Sequence, residues 1–156
     1  MRHFHLDRIQ LLERGVRAVG VRAVALSDDA FTEHFPGNPV LPGVYLLEGL
    51  AQTAGLLLWE TTARARIAVM VSVDRARFTA FARPGDVVTL AVEIDSHDER
   101  AARVRGVAAV GERQVAAAAL TFSMQEPARV IPPLFQPFWE HAADVWLGRY
   151  PGSGDA

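Results

Sequence analysis

HFPGNPVLPGVYLLEGLAQTAGLLLWE, residues His34 to Glu60, falls into two parts of opposite character. Pro36, Pro39 and Pro42 fix φ and push the residues before them toward extended backbone, so 35–41 reads as a stiff, irregular loop. Gly37 and Gly43 give that loop room to turn. After Gly43 the prolines stop, and a run of Leu, Ala, Tyr, Glu and Gln predicts a helix over about residues 43–60. Val44, Leu46, Leu47, Leu50, Leu56, Leu57 and Leu58 make it apolar on nearly every side, which predicts a core helix enclosed by other structure. Its length of roughly 27 Å approaches a membrane span, yet Glu48 and Gln52 near its middle argue against insertion into lipid.

Tyr45, Glu48 and Gln52 lie three and four residues apart and share one face, a polar stripe on an apolar rod. A carboxyl in apolar surroundings is either a catalytic acid or base, or a group satisfied by an arginine or by backbone N–H donors. Spacing alone leaves both open.

With 156 residues, half of them hydrophobic, the chain is long enough for one well-packed domain and short for two. A net charge of −2 gives no general pull toward nucleic acid or an anionic membrane. The absence of Cys excludes disulfides and thiolate metal sites. MRHFHLDRIQ lacks the apolar core of a secretory signal, so the cytoplasm is the expected compartment. All sixteen basic residues are Arg, which excludes Schiff-base lysine chemistry.

Before the loop, residues 16–27 read as a first full strand, broken by Ser27, Asp28 and Asp29, with Asp28 able to cap a short turn. The small residues Gly49, Ala51, Ala54 and Gly55 suit a helix that strands wrap closely, or ordinary packing. Arg64 and Arg66 suit the dipole at its C-terminal end, or simply solvation. Strand-like runs follow at 67–73, 77–81, 87–94, 101–110 and 115–124, with a turn at Arg83-Pro84-Gly85-Asp86 and hairpin positions at 96–100 and 111–113. One long helix followed by an antiparallel meander is an α+β pattern. Pro127, Pro132, Pro133 and Pro137 mark a connector with neither regular helix nor central strand. Phe138, Trp139, Ala142, Val145 and Trp146 then recur at helical spacing, predicting a short amphipathic helix over 137–148 that docks on its own domain or on a sister subunit. PGSGDA at the end reads as disordered. The expected division is a domain at 1–125 and a connector, helix and tail at 126–156.

HFPGNPVLPGVYLLEGLAQTAG, residues 34–55, resembles the signature of FabA/FabZ-type 3-hydroxyacyl-acyl-carrier-protein dehydratases, in which His-Phe-Pro-Gly and Pro-Gly-Val precede an acidic residue and then Ala-Gln. DRARFTAFARPGD (74–86) is similar to the family's second block, and HLDRI (5–9) to a shortened opening strand. The resemblance covers about residues 4–124. Glu33 departs from it, standing where FabZ members usually have Gly, and the chain after Met124 has no counterpart.

The resemblance implies a hotdog fold, a curved antiparallel sheet around the long helix. It implies His34 as catalytic base and Glu48 as catalytic acid, and Glu in place of Asp favours the FabZ branch. His34 would take the α proton of the thioester and Glu48 would act on the C3 hydroxyl, in an apolar setting that helps it keep a proton to give. Backbone N–H groups of Gly43 and Val44, at the positive end of the helix, would bind the thioester oxygen. Gln52 would orient the acid or a water, or satisfy a backbone group. No metal or cofactor is implied. Also implied are a homodimer, or a trimer of dimers, with the base and acid meeting across subunits and the acyl chain along their boundary. An acidic acyl carrier protein would deliver the substrate, with Arg75, Arg77 or Arg83 meeting its charges. Two other readings remain: a hotdog thioesterase, whose helix carboxylate activates water, and an acyl-binding module without turnover.

Overall fold

The computed structural model describes residues 3–150, and in it the apolar run after Gly43 is one helix of 19 residues, α1, Gly43–Thr61. Six strands, β1 (Arg8–Glu13), β2 (Arg17–Ala23), β3 (Ile67–Phe78), β4 (Val87–His97), β5 (Ala101–Val110) and β6 (Arg113–Gln125), form one antiparallel sheet. Their order is β1-β2-β4-β5-β6-β3. Period-two alternation decides the inner face. Val88, Leu90 and Val92 of β4, Val104 and Ala108 of β5, and Leu120 and Phe122 of β6 are at most 2% exposed. The sheet curls about α1, which contacts all six strands. This is an α+β hotdog fold. Leu50, Leu57 and Leu58 of α1 are essentially removed from water, each worth about 1.5–3 kcal/mol of transfer free energy.

Close approach around the helix requires small residues, among them Gly49 and Gly20. A Cβ at Gly49 would lie 2.8 Å from the His5 carbonyl oxygen and 2.9 Å from Leu90, and one at Gly20 would lie 2.5 Å from Leu6 and 2.7 Å from Thr53. Gly55 differs. A Cβ there meets nothing within 4 Å, so tight wrapping does not account for it.

The runs expected at 67–73 and 77–81 are one continuous strand of twelve residues, β3, with two register shifts against β6. Ten of its residues, from Val69 to Phe78, are exposed, so no burial alternation was there to be read. The opening strand β1 starts at Arg8, within the expected segment 5–9, and runs on to Glu13 as a sheet edge. The first full strand is shorter than expected, because the chain leaves the sheet after Ala23.

Asp28 does not cap the 3₁₀ turn Asp29–Thr32 with its side chain; its carboxylate pairs with Arg22 at 2.8 Å. Arg64 is not a solvated cation at a helix end. Ala63 and Arg64 take left-handed backbone (φ 50° and 66°), a conformation L side chains enter at a cost, and the Arg64 side chain is held by Glu60 at 2.8 Å and Asp144 at 2.6 Å.

The proline-rich connector contains one helical turn, α2 (Pro127–Val130), with Pro127 at a first-turn position that needs no N–H acceptor. A 3₁₀ turn at Pro133–Phe135 leads into α3 (Gln136–Trp146). Its aromatic face docks on its own domain: Trp146 is 8% exposed and meets Phe4 edge-on at 4.7 Å between ring centres, with Trp139 at 6.1 Å. PGSGDA lies outside the described residues. Among the described residues no helix is long and apolar enough to cross a membrane.

Candidate active site

The loop places His34 and fixes its protonation pattern. Nδ1 of His34 lies 2.7 Å from the Val40 carbonyl oxygen, which can only accept, so Nδ1 carries the hydrogen and the Nε2 lone pair of the neutral ring remains available. The ring stacks on Phe35 with centres 4.1 Å apart, and the His34–Phe35 peptide is cis. The Asn38 N–H donates to the Phe35 carbonyl (2.9 Å), and Arg83 donates to Asn38 Oδ1 (2.8 Å) and the Pro39 carbonyl (3.0 Å). Arg83 therefore braces the loop. Glu33, with φ −123°, adopts backbone open to any residue, so this position does not need Gly.

His34 faces a cavity of about 410 Å³ that Gly43, Val44 and Phe78 also line. Pro42 precedes the helix without a side-chain cap, so the N–H groups of Gly43 and Val44, which have no intrahelical acceptor, stand at its positive end. A Cβ at Gly43 would come within 2.8 Å of the Phe78 ring, so glycine is what lets β3 close over the helix start.

Glu48 and Gln52 face elsewhere. They line a second cavity of about 430 Å³, otherwise walled by apolar groups of α1, β3 and the C-terminal segment. Glu48 is half-buried, not enclosed. Gln52 Oε1 accepts from the His5 N–H at 2.9 Å, which forces Nε2 toward the His3 carbonyl (2.8 Å) and Glu48 Oε1 (2.9 Å). The amide thus holds one oxygen of Glu48 and satisfies two backbone groups at once. The Tyr45 ring packs against His5 at a tilt of 36°, with ring centres 4.2 Å apart. The five expected site residues divide in two: His34, Gly43 and Val44 at one cavity, Glu48 and Gln52 at the other.

Two ionisable clusters were not anticipated. His5 is 5% exposed, its Nδ1 has no partner among the described residues, and burial, then the Arg22 charge, lowers its pKa to about 4. Glu60, 1% exposed, is the enclosed carboxylate of α1, bonded by Arg14 (2.9 Å), Arg64 (2.8 Å) and Arg149 (3.4 Å). Burial alone would raise its pKa, but the hydrogen bonds from Arg64 and Arg14 and the nearby charges of Arg64 and Arg149 hold it below the ordinary 4.5. The Glu60–Arg64 spacing of four was the one visible signal of this cluster. Among the described residues no group of three His, Asp or Glu side chains could hold a metal ion.

The FabA-like domain family matches residues 2–119. A 3-hydroxyacyl-[acyl-carrier-protein] dehydratase FabZ of Caldanaerobacter subterraneus subsp. tengcongensis is 41% identical over 122 residues, covering 78% of this chain and 86% of that protein. Among solved structures, a hypothetical thioesterase protein with coenzyme A from Streptococcus pneumoniae TIGR4 superposes with a TM-score of 0.64 at 18% identity, over 80% of this chain and 89% of that one. A hot-dog-like protein from Thermanaerovibrio acidaminovorans does so with a TM-score of 0.62 at 20% identity, over 83% and 93%. The structural likenesses speak to the fold alone.

Proposed function

The chain belongs to the FabZ-type dehydratases of the FabA-like family, and on that premise we propose that it removes water from (3R)-3-hydroxyacyl thioesters on acyl carrier protein to give trans-2-enoyl thioesters. His34 Nε2 takes the proton from C2 while the charge developing on the thioester oxygen is met by the N–H groups of Gly43 and Val44. The C3–O bond breaks as Glu48 gives its proton to the departing hydroxyl, C2 and C3 become doubly bonded, and water leaves. Proton transfer from imidazolium to carboxylate, directly or through water, resets the site. Gln52 orients Glu48 through the 2.9 Å bond.

The observation that carries this reading is the division of base and acid between two cavities together with the place of β3. Phe78, at one end of β3, borders the His34 cavity; Ile67, Ala68 and Met70, at the other end, border the Glu48 cavity. β3 is also a sheet edge, and it leaves Val69, Val71, Val73 and Phe78 exposed. If β3 pairs antiparallel with its own copy about a two-fold axis, the Phe78 end of one strand lies beside the Ile67 end of the other. That brings His34 of one subunit to Glu48 of its partner, twice per dimer. Such pairing also covers an edge that would otherwise invite aggregation. A trimer of dimers is compatible with the same contact. Acyl carrier protein is the delivering partner, and the cytoplasm is the location that fits this role.

The test is complementation. His34→Ala and Glu48→Gln chains, each nearly inactive, are unfolded together and refolded as a mixture. In a two-fold dimer half of the molecules are mixed and each holds one intact site, so about a quarter of parental dehydration returns. No recovery in demonstrably mixed dimers would sink the shared site. Free thiol released from a saturated acyl thioester without enoyl product would point to hydrolysis instead.

A further inference from the structure

Glu48, Gln52, Gly55 and Trp59 recur along α1 at intervals of four, three and four, so they share one helix face, and all four line the same cavity. That face is graded. Its first two residues are polar, the third has no side chain, and the fourth is a tryptophan only 8% exposed. Opposite lie Phe122 of β6 and, from the C-terminal segment, Ile131, Phe135, Trp139 and Trp146. The cavity therefore has one polar end and an apolar remainder, the shape expected for a ligand with a reactive head and a hydrocarbon tail.

Gly55 is the informative position. Glycine inside a helix weakens it, and nothing packs where its side chain would be, so packing supplies no reason for it. The missing side chain does keep the cavity open two turns beyond Glu48. That separation is about 10 Å along the axis, which an extended tail of about eight carbons spans at bond lengths near 1.5 Å. The family match ends at residue 119, whereas the opposing wall from Val130 to Trp146 comes after it. That wall is held in place: Asp144 bonds Arg64 at 2.6 Å and Trp146 packs on Phe4.

Resting on the dehydratase reading, we propose that Gly55 and the C-terminal segment, through Phe135 and Trp139, form the distal acyl subsite and set the length of the tail this chain accepts. Short tails end before Gly55. Tails that pass it run between the glycine and the aromatic wall toward Trp59.

The test measures kcat/KM on 3-hydroxyacyl-carrier-protein substrates of four, twelve and sixteen carbons, using full-length parent, Gly55→Leu and Phe135→Ala. A leucine at 55 projects into the space the longer tails need, so the twelve-to-four-carbon ratio falls roughly tenfold or more, since even a methylene of misfit costs about tenfold. Phe135, 55% exposed, can be cut back without opening the core, and its loss raises the sixteen-to-twelve-carbon ratio. Unchanged ratios in both variants of an active parent overturn the subsite and leave the dehydratase reading standing. A Gly55→Leu chain that does not fold contradicts the open space on which the proposal rests. A parent inactive on every length overturns the dehydratase reading itself.

Discussion

The two carboxylates of α1, Glu48 and Glu60, stand twelve residues apart on one apolar helix and have opposite surroundings. Glu60 is enclosed and saturated by three arginines, its charge held by partners from β1's end, the helix terminus and the C-terminal segment. Glu48 is half-buried, has Gln52 as its donor, and faces a cavity. Burial alone would have chosen the wrong one. A carboxylate whose hydrogen-bonding capacity is filled by cations holds structure together; one left with an oxygen toward an apolar space is available for chemistry.

The sharpest way to break this comparison is to neutralise each carboxyl in turn. Glu48→Gln should lower kcat by about 10²–10⁴-fold with little change in melting temperature. Glu60→Gln should keep kcat within a few-fold but cost about 2–3 kcal/mol of stability, less than the roughly 3–5 kcal/mol of a fully enclosed pair, because Arg14 and Arg149 are 61% and 51% exposed and rehydrate. Thermal unfolding read beside a dehydration assay checks both. If the two variants exchange these phenotypes, the roles are reversed.

Acid separates the two ends of the helix next. His5, beside Tyr45 near its start, has a folded pKa of about 4 against an ordinary 6.5, so the unfolded chain takes up the proton first. Stability is then lost as pH falls from 6.5 toward 4, by up to about 3 kcal/mol at 1.36 kcal/mol per pKa unit. His5→Phe should abolish that slope. Glu60, depressed below 4.5, contributes stability above that value and loses it as pH falls through its own lower folded pKa, a later step that Glu60→Gln removes. Denaturant titrations at a series of pH values resolve the two steps.

The smallest effect belongs to Gln52. Gln52→Leu removes the donor to Glu48 and leaves the His5 N–H without its acceptor, so kcat should fall about tenfold and stability by about 1 kcal/mol. A shift of the pH–rate profile would mark the orienting role, since loss of packing alone leaves the profile in place.

Much of this was legible in the chain. The switch at Gly43 from prolines to a run apolar on nearly every side defined α1 to within one residue, and the strand-like run at 101–110 matched β5, because both elements pack into the core. β3 was read as two pieces because an exposed edge has no buried face to report. His34 and Glu48 could be picked out by motif, yet their separation into two cavities could not, since the loop's path depends on contacts such as Arg83 with Asn38, forty-five residues away in sequence. The Glu60 cluster was hidden for the same reason: Arg14 and Arg149 reach it from opposite ends of the chain.

One amide links the segment before β1 to the middle of the helix. Gln52 grips the backbone at His3 and His5 with the same group that steadies Glu48, so slack introduced at residues 3–5 is transmitted to the carboxyl. An insertion or deletion at residues 3–5 would detune turnover while leaving the core intact.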